Sequence, residues 1–536
     1  MVSKKATNNK SGGADKSSGN TVLSILLALA MFVLVVDTSL MNVSLSAVVK
    51  DLNTTVSTVQ SAIALEALVS AAFILISSKV GDLIGRKNAY IIGLLAYAIG
   101  AIAMTLTNSV VPIFIFWAII GGLGASLLLP AMQSLIHGNF SGAAQKKTYA
   151  LVGAAAAIAA AVGPLIGGFL TTFISWRVGF LLEAVIIGVI LINIKLVKDV
   201  KLEGSRRIDI VGALLSVFGM GGVVLGILLW QEGAESVGIV IAIGAVMLAL
   251  LAYWLVKRKR EGKPTLLDPG LFKLLNFRLG ISQVMMQNII LGGSMIVLPI
   301  FLQMTLEYNA MQTGLTLAPL SLTMFAVAIL AGKRAGKRRA SSIIRAGFVL
   351  STIGIALIIP IVPRAASGWS LAIPLLITGA GLGLLVSQLN NYTLAPIKEE
   401  RVSEAAGVNS ASGSFGLSFG LAMAGGIMLA VLSMSFTNLT NQSTVIPSSD
   451  KQRIYTVLEE DAQVMSDTQL QSQLAGQPED VQAEVLDINS QARNRSLQIA
   501  LFVPLIAGLI GIINSFRMMK LPDIKPSAAV EGASLG

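Results

Sequence analysis

Two carboxylates interrupt apolar runs that otherwise suit the interior of a lipid bilayer. Asp37 lies in "LVVDTSLMNVSL" and Glu66 in "SAIALEALVSAAF". A charge at the bilayer centre costs at least about 2.5–3.5 kcal/mol, so such a residue usually has a function or a partner. Two unpaired carboxylates cannot both stay ionised cheaply in a low-dielectric site. At least one of them is therefore expected to hold a proton.

A buried carboxyl that gains and loses a proton is suited to coupling a proton gradient to the movement of a cation. Binding of a cationic substrate favours the charged carboxylate and expels the proton. Asp37 and Glu66 are therefore predicted to form a proton-coupling and substrate-binding pair. Glu66 has a structural alternative as a neutral acid that is hydrogen-bonded to another helix.

The composition identifies a membrane protein with many spans. The chain has 536 residues, of which 54% are hydrophobic and 12% charged, whereas soluble proteins carry about 25% charged residues. Cysteine is absent, which excludes disulfides and thiolate metal sites.

Fourteen apolar runs are long enough to cross a bilayer as helices, which takes about 20 residues each. At about 1.5 Å per residue, their positions place Asp37 and Glu66 at depths that differ by only about 3 Å. The predicted spans are 21–47, 57–80, 88–107, 110–137, 148–172, 177–197, 209–230, 236–256, 279–304, 312–332, 343–363, 369–395, 405–433 and 497–519.

The basic residues predict the orientation. With the N-terminus inside, only seven of the 39 Lys and Arg residues fall outside, and none lies at the depth of Asp37 and Glu66. The net charge of +11 is thus explained by topology rather than by binding of nucleic acid. We expect a multi-pass protein of the plasma or inner membrane, in contact with membrane lipids, with both termini cytoplasmic.

The spans divide the chain into segments. We expect a disordered cytoplasmic tail, a six-helix half, two additional spans, five helices of a second half, an extracytoplasmic loop, a last span and a second cytoplasmic tail. In the loop, "RIYTVLEEDAQVM" and "PEDVQAEVLDINSQA" have helical periodicity and predict a helical hairpin, either a gate or a tolerated insertion. The bounds of the seven segments are 1–20, 21–200, 201–264, 265–433, 434–496, 497–519 and 520–536.

The turn after the second span reads "SKVGDLIGRKNAY" and resembles the loop between helices 2 and 3 of the major facilitator superfamily. Asp82, Gly85, Arg86 and Lys87 match its pattern, whereas Ser78 replaces the first glycine. The resemblance implies an all-α fold of two six-helix halves around a central cavity. It also implies that this turn latches the inner side when the transporter is open outward.

Two further motifs are similar to those of the fourteen-helix drug:proton antiporters within this superfamily. "AAVGPLIGGFL" carries the G-P-x-x-G-G element, and "VVDTSLMNVSL" keeps Asp37, Thr38 and Asn42 in register. Proline breaks a helical hydrogen bond, and glycines let a second helix approach closely. The residues of the G-P-x-x-G-G element are Gly163, Pro164, Gly167 and Gly168.

The fourth span departs from the family pattern. Ala118 occupies the position of an arginine that the family uses in proton coupling. Glu66, where the family tends to have tyrosine, is proposed to replace that function. Glu183 is expected at the outer headgroup level beside Arg177.

Several amide side chains lie within predicted spans and are expected to line the central cavity. Hydrogen bonding between helices is an alternative for each of them. The candidates are Asn42, Gln283, Gln287, Asn288, Gln388, Asn390 and Asn391.

The sequence thus predicts proton-coupled export of amphipathic, cationic drugs or toxic compounds, with no cofactor, no metal site and no catalytic residues. No nucleotide-binding loop or nucleophile–His arrangement is present, which argues against an enzyme. Export of a lipid, an envelope precursor or another metabolite is the alternative, and a sensor or scaffold is a third possibility. The sequence leaves open the substrate, the choice of H⁺ or Na⁺, and the oligomeric state.

Overall fold

A computed structural model describes residues 20–140, 142–199, 209–231, 237–333, 338–398, 401–447, 451 and 467–522. Within these ranges the chain is helical and contains no strand. Fourteen long helices of these ranges are numbered in chain order below, and the fourth consists of three consecutive stretches, of which the middle one is π-helical. The long helices are α1 (Asn20–Val43), α2 (Val56–Ile84), α3 (Arg86–Leu106), α4 (Val110–Pro112, Ile113–Gly121 and Gly122–Asn139), α5 (Gly142–Phe173), α6 (Trp176–Ile192), α7 (Ile210–Gln231), α8 (Val237–Arg260), α9 (Leu275–Ile300), α10 (Ala310–Lys333), α11 (Ala340–Ile361), α12 (Ala372–Leu394), α13 (Val402–Gln442) and α14 (Phe502–Met519).

Thirteen described helical segments are long and apolar enough to cross a membrane. The sixth predicted span, 177–197, forms the shorter helix α6 of 17 residues, which is about 26 Å long and at the lower limit for a bilayer core. It ends at Asn193, whose side-chain amide donates to the carbonyl of Val189 at 2.9 Å. The spans therefore lie where the apolar runs predicted them.

The helices form two halves with the same internal packing. In the first half, α1 packs on α5, α4 on both α2 and α3, and α3 on α6. The second half repeats this arrangement with α9 on α13, α12 on both α10 and α11, and α11 on α14. The halves meet along α2–α13 and α5–α10, and α7 packs beside the first of these seams.

We call the side on which α1 begins the tail side, and the opposite side the loop side. On the loop side the two halves are in direct contact. Gln303 receives a hydrogen bond from the backbone N–H of Ser46 at 3.0 Å and donates to the carbonyl of Val43 at 2.9 Å. The backbone N–H of Met311 donates to the hydroxyl of Thr172 at 3.0 Å. The loop side is therefore closed.

A helical cap covers part of the loop side. Helix α13 continues to Gln442, nine residues past the predicted end of its span, because Leu432 and Phe436 are buried in the core of the cap. The helices Asp467–Gln473 and Glu479–Ala500 complete the cap, and the second leads directly into α14. Thus the predicted helix over "PEDVQAEVLDINSQA" begins at Glu479, whereas "RIYTVLEEDAQVM" lies outside the described residues.

The cap is attached to the second half by a buried arginine. The Arg493 guanidinium donates to the carbonyl of Met304 at 2.7 Å and pairs with Asp467 at 3.2 Å. Glu307, in the turn between α9 and α10, accepts hydrogen bonds from the backbone and hydroxyl of Thr468. The cap and the loop-side end of α9 are therefore connected.

On the tail side, Asp268 connects three segments of the chain. Its carboxylate pairs with Lys259 at the end of α8 and with Arg401 before α13, the latter at 2.8 Å. It also accepts from the backbone N–H of Gly270 at 2.7 Å, and its own N–H donates to Glu404. We call this group of ionic residues the tail-side clasp. It fixes the entry of the chain into the second half.

Candidate functional site

Asp37 is fully buried in the first half and receives hydrogen bonds from two aromatic residues. Tyr97 of α3 donates its hydroxyl to the Asp37 carboxylate, and the indole N–H of Trp117 donates to the same group at 3.0 Å. Trp117 lies in the π-helical stretch of α4, a backbone form that occurs frequently at functional sites. Both partners are donors, so Asp37 acts only as an acceptor in this arrangement.

Two other buried carboxyls lie within electrostatic range of Asp37. They are Glu66 on α2 and Glu183 on α6. Glu183 is only 2% exposed, and neither of its carboxyl oxygens has a hydrogen-bond partner among the described residues. We call Asp37, Glu66 and Glu183 the carboxyl cluster. In the part of the chain that the structure describes, no Lys or Arg pairs with any of the three.

The position of Glu183 differs from the sequence-based expectation. Arg177, its expected neighbour, instead pairs with Asp51 on the loop side and donates to the carbonyl of Thr107 at 2.6 Å. Glu183 lies on the face of α6 that packs against the other helices of the first half. Its neighbours on that face, Gly179, Phe180 and Ile187, are also buried. The expectation of a headgroup-level residue was wrong: Glu183 belongs to the interior.

A separate cavity of about 220 Å³ lies between the two halves. It is formed by the tail-side parts of α4, α12 and α13 and by the middle of α9. No member of the carboxyl cluster lines it. Its lining residues are Leu129, Gln133, Val284, Asn288, Asn390, Leu394, Ala406, Asn409, Ser410, Gly413, Ser414 and Leu417.

Of the amides proposed from the sequence, Asn288 and Asn390 line this cavity. Gln283 is instead buried against α14, where it donates to the carbonyl of Gly511 at 2.9 Å. Asn42 donates to the carbonyl of Thr38, one turn earlier in α1. The lining does not include Gln287, Gln388 or Asn391.

The turn after α2 is stabilised within the first half. Asp82 pairs with Arg86, and Gly85 adopts φ +92°, a conformation that glycine accepts readily. Asp199 accepts a hydrogen bond from the backbone N–H of Lys87 at 3.0 Å, at the start of α3. The latch that the resemblance implies for this turn concerns the outward-open transporter. It stays a prediction.

The G-P-x-x-G-G element of α5 lies at the junction of the halves. Gly163 and Gly167 pack against Ser39 and Leu40 of α1. A Cβ atom on Gly168 would lie 2.6 Å from the carbonyl oxygen of Ala310 at the start of α10. The small residues therefore permit close contact on both faces of α5, one within the half and one across it.

Sequence reasoning missed Tyr97 and Trp117 of the carboxyl site, and Asn409, Ser410 and Ser414 of the cavity. The cavity residues had a signal: Ser410 and Ser414, and likewise Asn409 and Gly413, are four residues apart and share one face of α13. The aromatic donors had none, because their contact with Asp37 depends on how three helices are rotated against one another.

Comparisons with known proteins agree with this architecture. The profile of the Major Facilitator Superfamily matches residues 27–208 and 200–421. Among solved structures, a D-xylose-proton symporter is similar with a TM-score of 0.59 at 13% identity, covering 95% of this chain and 99% of that chain. A bacterial homologue of the human lysosomal transporter Spinster, in an inward-facing and unoccupied conformation, has the same TM-score at 12% identity, covering 94% and 98%.

Curated relatives are named as resistance, export or transport proteins. The multidrug resistance protein Stp of Mycobacterium tuberculosis is 27% identical over 76% of this chain and 76% of its own length. The multidrug export protein EmrB of Escherichia coli is 24% identical, covering 78% of this chain and 80% of EmrB. A probable actinorhodin transporter of Streptomyces coelicolor is 24% identical, covering 75% and 71%.

The expected fold and family are thus confirmed, as is the expectation of a transporter rather than an enzyme. The matched residues include every helix of the first half and most of the second. The chain belongs to the Major Facilitator Superfamily and is a multi-pass membrane transporter.

Proposed function

We propose that the chain is a secondary active exporter that couples proton entry to the export of amphipathic compounds by alternating access. The observation that carries this proposal is the carboxyl cluster: three buried acids with no cation paired to them in the described helices. The relatives named as a multidrug export protein and as a multidrug resistance protein support the same direction of transport.

The contacts of the cluster are suited to holding and releasing a proton. Donated hydrogen bonds stabilise an ionised carboxylate, and Asp37 accepts two. Glu183 has no donor among the described residues, and a buried carboxyl without a partner favours its neutral form. The surroundings of Asp37 and Glu183 thus favour different protonation states.

In this proposal the tail side faces the cytoplasm. The tail-side end of α2 carries Lys79, the start of α3 carries Arg86 and Lys87, and the tail-side end of α8 carries Lys257–Arg260. Cytoplasmic loops of membrane proteins have such an excess of basic residues. The closed loop side and the tail-side cavity would then correspond to a state that receives substrate from the cytoplasm. The energy source would be the proton gradient of the cell membrane, without a cofactor.

Drug-type export is favoured over export of a lipid by the contacts at the two seams. A lipid path needs a lateral opening between helices. The loop-side end of the α5–α10 seam is closed by the Gly168 contact, and α7 packs along the α2–α13 seam.

The test is gradient-driven uptake into inside-out membrane vesicles, measured with a panel of neutral and cationic amphipathic compounds. We expect the unmodified chain to accumulate some of them only when the vesicle interior is acidified, and a protonophore to abolish this. Asp37→Asn and Glu66→Gln should remove the gradient-dependent part, because an amide cannot release a proton. Glu261→Gln, which neutralises an exposed carboxyl outside the cluster, serves as the matched control.

The outcomes are distinct. Uptake that survives the protonophore would contradict proton coupling. Loss in Asp37→Asn alone would return Glu66 to a structural role, and an inactive but well-expressed chain would move the proposal to lipid or metabolite transfer.

A further inference from the structure

Among the described residues, the lining of the cavity is polar but carries no charge. Its described polar side chains are four amides and two hydroxyls, contributed by α4, α9, α12 and α13. No Asp, Glu, Lys, Arg or aromatic residue is among the described residues that line it. The polar side chains are Gln133, Asn288, Asn390, Asn409, Ser410 and Ser414.

One of these amides is buried with an unused acceptor. Asn409 is 6% exposed, and its side-chain N–H donates to the side-chain amide oxygen of Asn390 at 2.8 Å. The side-chain amide oxygen of Asn409 has no hydrogen-bond partner in the described part of the chain. Buried polar atoms are nearly always hydrogen-bonded. A ligand with an O–H or N–H donor would satisfy this atom.

A cation in this cavity would have no counter-charge among the described lining residues. Asp37 is fully buried and bonded to Tyr97 and Trp117, and neither Glu66 nor Glu183 lines the cavity. A desolvated charge without a partner is strongly disfavoured in a low-dielectric site. Side-chain amides, in contrast, both donate and accept, which suits hydroxyl, carbonyl and amide groups of an uncharged compound.

The apolar part of the lining completes the recognition of such a compound. Leu129 faces the cavity from the first half, and Val284, Leu394 and Leu417 from the second. We infer that the cavity binds an uncharged amphipathic compound that bears several hydroxyl, carbonyl or amide groups, rather than a cation. This inference rests on the proposed function and names the substrate class of that transporter.

The test compares neutral and cationic probes in vesicles that contain the full-length chain. Three neutral compounds with hydroxyl and carbonyl groups, including radiolabelled chloramphenicol, are compared with three permanent cations, including tetraphenylphosphonium. We expect gradient-driven uptake of the neutral compounds and none of the cations. Asn409→Asp is isosteric, keeps an acceptor and adds a counter-charge, so it should create uptake of the cations. It also removes the N–H donor that holds Asn390, so uptake of the neutral compounds should fall by about tenfold, equivalent to one hydrogen bond.

The matched control is Asn514→Asp. Asn514 is a half-buried amide on α14 that contacts Ser282 at 3.3 Å and does not line the cavity. This substitution should leave the selectivity unchanged. Asn288→Leu is a second variant in case Asn409→Asp does not fold, because the N–H of Asn288 bonds only to the carbonyl of Val284 within its own helix. It should also reduce uptake of the neutral compounds.

Each result decides between the two proposals. Gradient-driven uptake of cations but not of neutral compounds by the unmodified chain would overturn the inference and leave the proposed function intact. Wild-type uptake and selectivity in both folded variants would also overturn it, because the cavity would then not be the recognition site. If no probe of either class is taken up, the proposed function fails and the inference fails with it.

Discussion

Asp37 accepts hydrogen bonds from residues of two other helices of the first half. Tyr97 comes from α3 and Trp117 from α4. Ala118, where the family resemblance led us to expect an arginine, is buried directly after Trp117. The donors that would stabilise an ionised Asp37 in this structure are thus neutral. Loss of one donor should therefore weaken the charged state of Asp37 specifically.

We expect Trp117→Phe to lower the free energy of unfolding by about 1.5–3 kcal/mol, because a hydrogen bond to a charged group is lost. The pH profile of uptake should also move to higher pH, since the carboxylate then holds its proton more strongly. The measurements are thermal unfolding in detergent and uptake across a pH series.

Trp176→Phe is the control for this substitution. Trp176 also packs edge-on against Phe180 and also donates to an aspartate, Asp51, at 3.1 Å on the loop side. It should cost stability without moving the pH profile. Equal shifts in the two variants would argue that Trp117 acts only through packing.

Sequence reasoning selected Asp37 and Glu66 because a charged residue within an apolar run can be recognised from the sequence alone, and both are buried in the structure. It misplaced Glu183 because Arg177, six residues earlier, offered an apparent partner. In the structure that arginine forms an ion pair with Asp51, and the two residues are far apart in the chain. Such pairings depend on helix rotation and crossing, which a single sequence does not contain.

Hydropathy predicted where each helix lies along the chain but not the residues at which it ends. The ends are set by local polar contacts and by packing outside the membrane. Ser175 caps α6 by accepting from the backbone N–H of Arg177. Asp209 caps α7, accepts from the indole N–H of Trp254 and lies 3.7 Å from Arg258, so it joins the two additional helices at the tail side. Helix α13 continues beyond its apolar run because its last turns pack into the separate hydrophobic core of the cap.

The tail-side clasp yields a pH prediction. Partial burial acts to raise the pKa of Asp268, but hydrogen bonds from Lys259 and Gly270 and the charge of Arg401 outweigh it and hold the pKa below its usual value. A carboxyl whose pKa is lower in the folded state stabilises the fold above its unfolded-state pKa of 3.8. This contribution is lost as the pH falls through the folded-state pKa.

Asp268→Asn should therefore lower the Tm in detergent by about 1–3 °C at pH 7, as expected for partly exposed ion pairs. The difference from the unmodified chain should shrink below pH 4. Glu261→Gln, on the same surface but exposed and paired only with Lys263, should leave the Tm unchanged. A difference that stays constant down to pH 3 would contradict the role of the ionised carboxylate.

For the whole molecule, the structure separates two tasks. The carboxyl cluster lies within the first half, whereas the cavity lies between the halves and takes nearly all of its polar lining from the second. In the proposed function, proton exchange and substrate binding would thus occupy different places. In the proposed cycle they are connected through the seams α2–α13 and α5–α10, which must rearrange when the loop side opens.

An uncharged cavity has an electrical consequence. If a neutral compound leaves while protons enter, each cycle moves net positive charge inward. The membrane potential then performs work on the cycle, about 2.3 kcal/mol per charge for each 100 mV. Exchange of one proton for one monovalent cation would, in contrast, be electroneutral. We therefore expect a potassium diffusion potential set with valinomycin, inside positive in inside-out vesicles, to drive uptake of neutral compounds without a pH difference. The cell could then keep exporting when its internal and external pH are equal.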